Sequence, residues 1–255
     1  MPDLVLHVLA GAAVGFAIGL TGIGGGSLMT PLLLLFGYPL PVAIGTDLLY
    51  AAVTKAGGMV AHARRGNVVW PVMGRLAAGS VPASLATAAL LHFAFGDASA
   101  YAPLLNSALG VMLLATAAAV LLRGRLQPAG GAATERRGAP AATVATGVLL
   151  GACVTLSSVG AGAFGAAVLL WLYPRLAGVR VVGTDIAHAV PLTLVAGLGH
   201  LALGNVDFGL LAALLVGSLP AIALGARVGD RLPESVVRPA LALLLASLGL
   251  RFALA

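Results

Sequence analysis

GTDLLYAAVTKAGGMVAHARRGNV (45–68) and GTDIAHAVPLTLVAGLGHLALGNV (183–206) are one segment written twice, and reading them together decides the fold. Gly45-Thr46-Asp47 recurs as Gly183-Thr184-Asp185, His62 as His200, and Gly66-Asn67-Val68 as Gly204-Asn205-Val206, all at one constant offset. The same offset carries GSVPA (79–83) onto GSLPA (217–221). Upstream, an offset two residues shorter carries Gly11, Gly15, Gly24 and Gly26 onto Gly147, Gly151, Gly160 and Gly162. Polar matches at a fixed spacing do not arise from shared apolar composition, so the chain is an internal duplication.

Working outward, the duplicated segments lie in apolar runs at about 3–20, 25–37, 41–62, 68–95, 100–122, 140–157, 162–173, 181–203, 206–226 and 236–254, against the roughly 20 residues of a membrane span. The second and seventh runs are short, and each follows a Gly/Ser-rich stretch, GLTGIGGGS (19–27) and SSVGAGAFG (157–165). Hydrophobic residues make up 60% of the chain and charged residues only 9%. Such a chain cannot cover itself with a wettable surface, so its solvent is lipid. The first run begins with Asp3 and has no basic leader, and it reads as a span, not a cleaved signal peptide. The expected fold is all-α and polytopic: 1–122 one repeat, 123–139 a cytoplasmic linker, 140–255 the second repeat.

Charge orients the spans. If all ten runs cross, the odd-numbered loops hold Arg64, Arg65, Arg123, Arg125, Arg136, Arg137, Arg175, Arg180, Arg227, Arg231 and Arg238, and the even-numbered loops hold no Lys or Arg. If the two short runs fold back instead, the bias disappears. The positive-inside rule therefore favours ten crossings with both termini outside. Arg75 fits this arrangement and Arg251 goes against it. Five crossings per copy make the repeats inverted, the common architecture of secondary transporters, with the site at the repeat interface near the midplane.

These features resemble the sulfite exporter TauE/SafE family: the paired glycine loops, above all Gly22-Ile23-Gly24-Gly25-Gly26, the Gly-Thr-Asp segments, and the His-x3-Gly-Asn-Val segment of each half. The second loop departs from that pattern, reading Ser158-Val159-Gly160-Ala161-Gly162. The resemblance implies transport of sulfite, thiosulfate, sulfoacetate or a related organosulfur anion, in a cell membrane and, more narrowly, a bacterial inner membrane.

The residues suggest where. A glycine loop at depth in a membrane is tolerated where it is buried in protein or lines a watery cavity. Just before a helix it offers N–H groups and a positive dipole end to an anion. Candidate substrate ligands are Thr21, Gly22, Gly24, Gly25, Gly26 and Ser27 in the first loop, and Ser157, Ser158, Gly160 and Gly162 in the second. Thr30 is a further hydroxyl. The bland alternative is close helix packing. Lys55 lies about two turns into an apolar helix opposite uncharged Thr193, and an intramembrane cation is a functional candidate by default. It is expected near Thr21–Ser27, with Asp47 or the substrate as its partner. Asp47, Asp185, His62 and His200 are coupling candidates. Thr46 and Thr184 read as N-caps, which would make the two aspartates first-turn acids, and His188 shares the polar stripe of the eighth run.

The net charge of +6 lies in short loops with no aromatic-interleaved basic patch, so nucleic acid is not a partner. The partners are lipid and a small anion, and homo-oligomers are open. The single Cys, Cys153, excludes an internal disulfide. No phosphate-binding loop or His-Glu-x2-His motif is present, and no cofactor or metal is implied. A secondary carrier is the leading reading. An anion channel is the near rival, and an intramembrane serine hydrolase using Ser157 or Ser158 the remote one.

Overall fold

The computed structural model describes residues 2–21, 26–95, 97–126, 137–229 and 234–254. Among these residues the chain forms ten helices: α1 (Pro2–Thr21), α2 (Gly26–Leu35), α3 (Leu40–Arg64), α4 (Trp70–Ala94), α5 (Ala98–Leu126), α6 (Ala139–Ser157), α7 (Ala163–Leu172), α8 (Gly178–Ala202), α9 (Phe208–Gly229) and α10 (Glu234–Ala253). Each apolar run is one helix. The two short runs give ten-residue helices, about 15 Å long at 1.5 Å per residue. By length and composition α4, α5, α6, α8 and α9 could each cross a membrane, and α1, α7 and α10 hold shorter apolar stretches. α3 has the length, but it carries Asp47, Thr54, Lys55 and His62.

Burial is inverted relative to a protein in water. Leu9, Val60, Phe93, Val111, Val216 and Leu243 face outward, while Thr30, Asp47, Ser80, Thr155, Asp185 and His188 are fully or almost fully buried. Lipid is as apolar as leucine, so an apolar outer face has no reason to hide, whereas polar groups must find partners inside. This is a multi-pass membrane protein.

Helix directions follow from which residues meet. Gly11, Gly15 and Gly19 of α1 abut Leu214, Ser218 and Ile222 of α9, so those helices run parallel. Gly147 and Gly151 of α6 abut Leu76 and Ser80 of α4 in the same way. These are the positions matched by the repeat, so the two seams are one seam made twice. The glycines are there because a Cβ would strike the facing backbone, the usual means of close approach between membrane helices. The central pair, α3 and α8, runs antiparallel: Gly45 meets Asn205, Gly197 meets Leu49, and Gly183 meets Asn67. α5 and α10 are antiparallel too, with Gly110 at Ala253 and Gly249 at Leu114. Equivalent helices that oppose each other are related by an axis across the bundle, which makes the repeats inverted.

The directions also decide the short helices. Tyr50 and Thr46 of α3 meet Ser218 and Asp207 in the same order, so α3 runs parallel to α9 and hence to α1. Ser80 and Ala88 of α4 meet His188 and Gly199, so α8 runs parallel to α4 and hence to α6. With α1 and α3 pointing the same way, the chain must return across the bundle between them, and likewise between α6 and α8. The α2 and α7 segments make those returns.

Thr46 and Thr184 are not N-caps of their own helices. α3 begins at Leu40 after an N-cap at Pro39, and α8 begins at Gly178 after Ala177. Pro39 and Pro41 supply the φ that a first turn needs, so the helix starts before the Gly-Thr-Asp segment. The two hydroxyls serve the opposite repeat. Thr46 Oγ1 accepts the Asp207 N–H at the start of α9 (3.1 Å), and Thr184 Oγ1 accepts the Val69 N–H at the start of α4 (2.9 Å). Asp47 and Asp185 thus stand about two turns inside their helices.

Candidate functional site

The charged side chains buried among the described residues are Asp47, Lys55 and Asp185, all on the antiparallel pair α3 and α8. Thr30 of α2 donates to Asp47 Oδ2 at 2.6 Å. Ser158 stands beside the same carboxylate, yet Asp47 Oδ1 and Ser158 Oγ each lack a hydrogen-bond partner. Lys55 Nζ donates to the Ala161 carbonyl at 3.0 Å. Its ammonium lies in the field of Asp185 first and of Asp47 second. Lys55 is therefore held by the second glycine loop.

That loop is the break between α6 and α7. Ser158 ends α6 at φ 59, its N–H bonded to the Val154 carbonyl at 2.8 Å. Ser157 Oγ donates to the Cys153 carbonyl and accepts the Val159 N–H. Gly160 and Gly162 have φ of 123° and 139°, conformations that a side chain strongly disfavours. The chain then enters α7, and Gly165 N–H closes back onto the Gly160 carbonyl. A Cβ on Gly165 would strike Asp185 Oδ1, so this glycine lets the carboxylate rest against the first turn of α7. An acid there is favoured by the helix dipole. The first copy differs, since Thr30, the counterpart of Ala166, reaches its aspartate with a hydroxyl.

The break, α3 and α8 together line one wall of the candidate site with a cation, a hydroxyl, reversed backbone and two acids in a low-dielectric interior. Such a wall can hold a small anion against Lys55 and move protons on its carboxylates. Ser157 hydrogen-bonds to backbone, and Ser158 stands beside a carboxylate. Of the first-loop candidates, Gly22, Gly24 and Gly25 lie outside the described residues, as do the side chains of Thr21 and Ser27. Gly26 is the first residue of α2.

His200 and His62 sit in the last turns of α8 and α3. His200 is buried, donating from Nε2 to the Thr155 carbonyl at 2.8 Å, with Asn205 at Nδ1. His62 is half-buried and pairs with Asn67. Both belong to the repeated His-x3-Gly-Asn turn, where His200 packs against Gly45 and His62 against Gly183, each two residues before an aspartate.

The sequence reading passed over one repeated pair. Tyr50 Oη and Ser218 Oγ are 2.6 Å apart, and their counterparts His188 Nε2 and Ser80 Oγ are 2.8 Å apart. His188 Nδ1 has no partner, and the residue lies in the field of Lys55. The signal was present: the repeat offset carries Tyr50 onto His188 and Ser80 onto Ser218.

A family model described as Sulfite exporter TauE/SafE matches residues 7–252. The chain belongs to that family. A Bacillus subtilis relative named probable membrane transporter protein YjnA is 34% identical over 88% of this chain and 89% of its own length. A second B. subtilis relative, probable membrane transporter protein YdhB, is 29% identical over 96% of this chain and 98% of its own. A probable membrane transporter protein of Xylella fastidiosa is 27% identical over 91% of this chain and 87% of its own. No solved structure matches. This TauE/SafE protein is a membrane transporter. Its family and its relatives' names are those of transporters, not enzymes.

Proposed function

We propose that this TauE/SafE protein is a secondary transporter that carries a small anion, a sulfur oxyanion or organosulfonate, by alternating access. The observation that carries this reading is Lys55, a buried ammonium held against the Ala161 carbonyl where α6 breaks into α7. A lone ammonium in a dry bundle needs partners, and a neutral carbonyl leaves it able to take an anion. Ser157, Ser158, Gly160 and Gly162 complete this half of the site. Thr21, Gly22, Gly24, Gly25, Gly26 and Ser27 are proposed as its inverted counterpart. The α1–α9 and α4–α6 seams each join one helix from each repeat through glycines, and they suit rigid units that rock about α3 and α8.

Proteoliposomes loaded in turn with sulfite, thiosulfate, sulfoacetate, sulfate and chloride test this directly. The expected result is saturable flux of a sulfur anion that is accelerated by the same anion on the far side. Flux that rises linearly with concentration and shows no such acceleration favours a channel.

The orientation in the membrane is proposed from charge: residues 1–122 and 140–255 as the repeats, 123–139 in the cytoplasm, both termini outside, and a bacterial inner membrane as host. Reporter fusions in the linker and at the C-terminus check it. The linker fusion is expected to report cytoplasm and the C-terminal fusion the outside. A cytoplasmic C-terminus overturns the orientation.

A further inference from the structure

Among the described residues two carboxylates, Asp47 and Asp185, and one lysine, Lys55, are buried on α3 and α8, so these three charges do not balance. Lys55 lies in the field of both Asp185 and Asp47, and a single ammonium cannot balance two carboxylates. Asp185 also has the first turn of α7 against it, where a helix dipole favours a negative charge. Asp47 lies in the field of the same Lys55 and meets α2 at Thr30. Two hydroxyls stand beside it: Thr30 donates to Oδ2 at 2.6 Å, and Ser158 lies next to the carboxylate. Oδ1 is buried with no hydrogen bond, and so is Ser158 Oγ. Two unsatisfied oxygens side by side in a dry interior are costly, and one proton resolves them. A protonated Oδ1 donates to Ser158 Oγ, and the surplus negative charge is gone.

We propose that Asp47 is a proton-binding site and that its proton is the coupling ion of transport. The proposal rests on the anion-carrier reading above and names what that reading leaves open. A proton from the bulk on the loading side forms an O–H bond at Asp47 Oδ1, crosses with the site, and is released to water on the other side. No electron moves. With Asp47 ionised, an incoming anion meets an interior already one charge negative. With Asp47 protonated it meets a neutral interior, so proton and anion favour each other's binding by the same factor.

The groups around Asp47 come from the elements packed on α3, and of these α5 brings Tyr101, which is bonded to Asn205. α2 brings the Thr30 hydroxyl and has no titratable residue, and the α6–α7 break brings the Ser158 hydroxyl. α8 brings Asp185 and His188, and α3 itself brings Lys55 and Tyr50. α9 brings Ser218, which is bonded to Tyr50, and its basic residue, Arg227, lies in its last turn. His188 is bonded to Ser80 and lies in the field of Lys55. Among these groups Asp47 is the acid that takes a hydroxyl donor, from Thr30, and has a second hydroxyl, Ser158, beside it.

Infrared difference spectra of the purified full chain, taken from about pH 5 to about pH 9, test the site without any substrate. The wild type is expected to show a carboxylic-acid carbonyl band that disappears as the pH rises. Asp185→Asn should keep the band and Asp47→Asn should lose it. Thr30→Val, which removes the donor to Oδ2, should move the band's frequency, and it decides the matter if Asp47→Asn does not fold. A wild type with no such band, or a band that survives in Asp47→Asn and does not move in Thr30→Val, overturns the proposal.

Proteoliposomes with an internal pH dye and thiosulfate or 2-hydroxyethanesulfonate then test coupling. The wild type is expected to move about one proton per anion and Asp47→Asn close to none, the signature of one linked site. Anion flux with no proton movement overturns the coupling, and flux that requires sodium assigns that role to another ion. A titrating band with no anion flux keeps the proton site and strikes the carrier reading.

Discussion

Replacing Gly162 with valine stops transport while leaving a folded protein in the membrane. Gly162 sits at φ 139, ψ −97, where α6 has ended and α7 has not begun. Residues with side chains pay about 1–3 kcal/mol to hold such a backbone. A bundle with two glycine-packed seams can absorb that loss. The break itself cannot, because its shape is the proposed site. To relieve the strain the chain must turn over peptide planes between Ser158 and Ala163, and that moves the Ala161 carbonyl away from Lys55. Displacement of order one ångström costs a positioned site about a hundredfold, so flux should fall by at least that much. Gly160→Val should behave alike. Gly160 has φ 123, and a Cβ there meets the Met112 methyl. Gly138→Ala is the control for strain alone, since Gly138 has φ 82 with open space around it, and its flux should stay near the parental rate. Flux of the anion that the proteoliposome screen selects, at matched levels of inserted protein, measures all three. Parental flux in Gly162→Val would mean that the break is only a packing device.

The helices were legible because lipid imposes a simple demand. Each span must be apolar, and the ten runs read from the chain became ten helices. The inversion was legible for a second reason: polar residues cost too much in a membrane to recur by accident, so a repeated Gly-Thr-Asp and His-x3-Gly-Asn-Val carried the symmetry. Helix starts were less legible. Thr46 looks like a cap by its side chain, but Pro39 and Pro41 had already set the first turn, and the hydroxyl was left to serve α9 in the other repeat.

The site was legible in composition and not in pairing. Lys55 was visible as a cation at depth, but nothing along the chain says which loop it meets. In an inverted repeat the partner comes from the opposite copy, more than a hundred residues away. Its contact is Ala161, of the second loop. Tyr50 with Ser218 and His188 with Ser80 are hidden for the same reason, although the offset carries one pair onto the other. Gly165 looked like one more small residue in a Gly-rich stretch. Its role, admitting the Asp185 carboxylate against α7, depends on where α8 crosses.

Replacing Lys55 with methionine should weaken anion binding by about two orders of magnitude or more. Removing one partner from a buried charge pair costs about 3–5 kcal/mol, and each 1.4 kcal/mol is about tenfold in affinity. Methionine keeps much of the side chain's length and apolar stem, so the main loss is the ammonium and its bond to the Ala161 carbonyl. Arginine restores the charge but replaces a compact ammonium with a planar fork. It should recover part of the affinity, because the fork cannot sit where a single nitrogen now meets Ala161 at 3.0 Å. Calorimetry on folded protein measures both, with the anion that the flux screen selects. An unchanged dissociation constant in Lys55→Met overturns a substrate role. A drop alone leaves two roles open, since Lys55 could touch the anion or merely cancel Asp185 and Asp47. The double variant Lys55→Met with Asp185→Asn separates them, in the manner of a mutant cycle. If Lys55 only cancels charge, removing Asp185 with it restores neutrality and affinity returns. If the ammonium meets the anion, the double variant binds as weakly as Lys55→Met, because neutrality has been restored and the donor has not. The second result is expected, since the ammonium now rests on an uncharged carbonyl that an anion can displace.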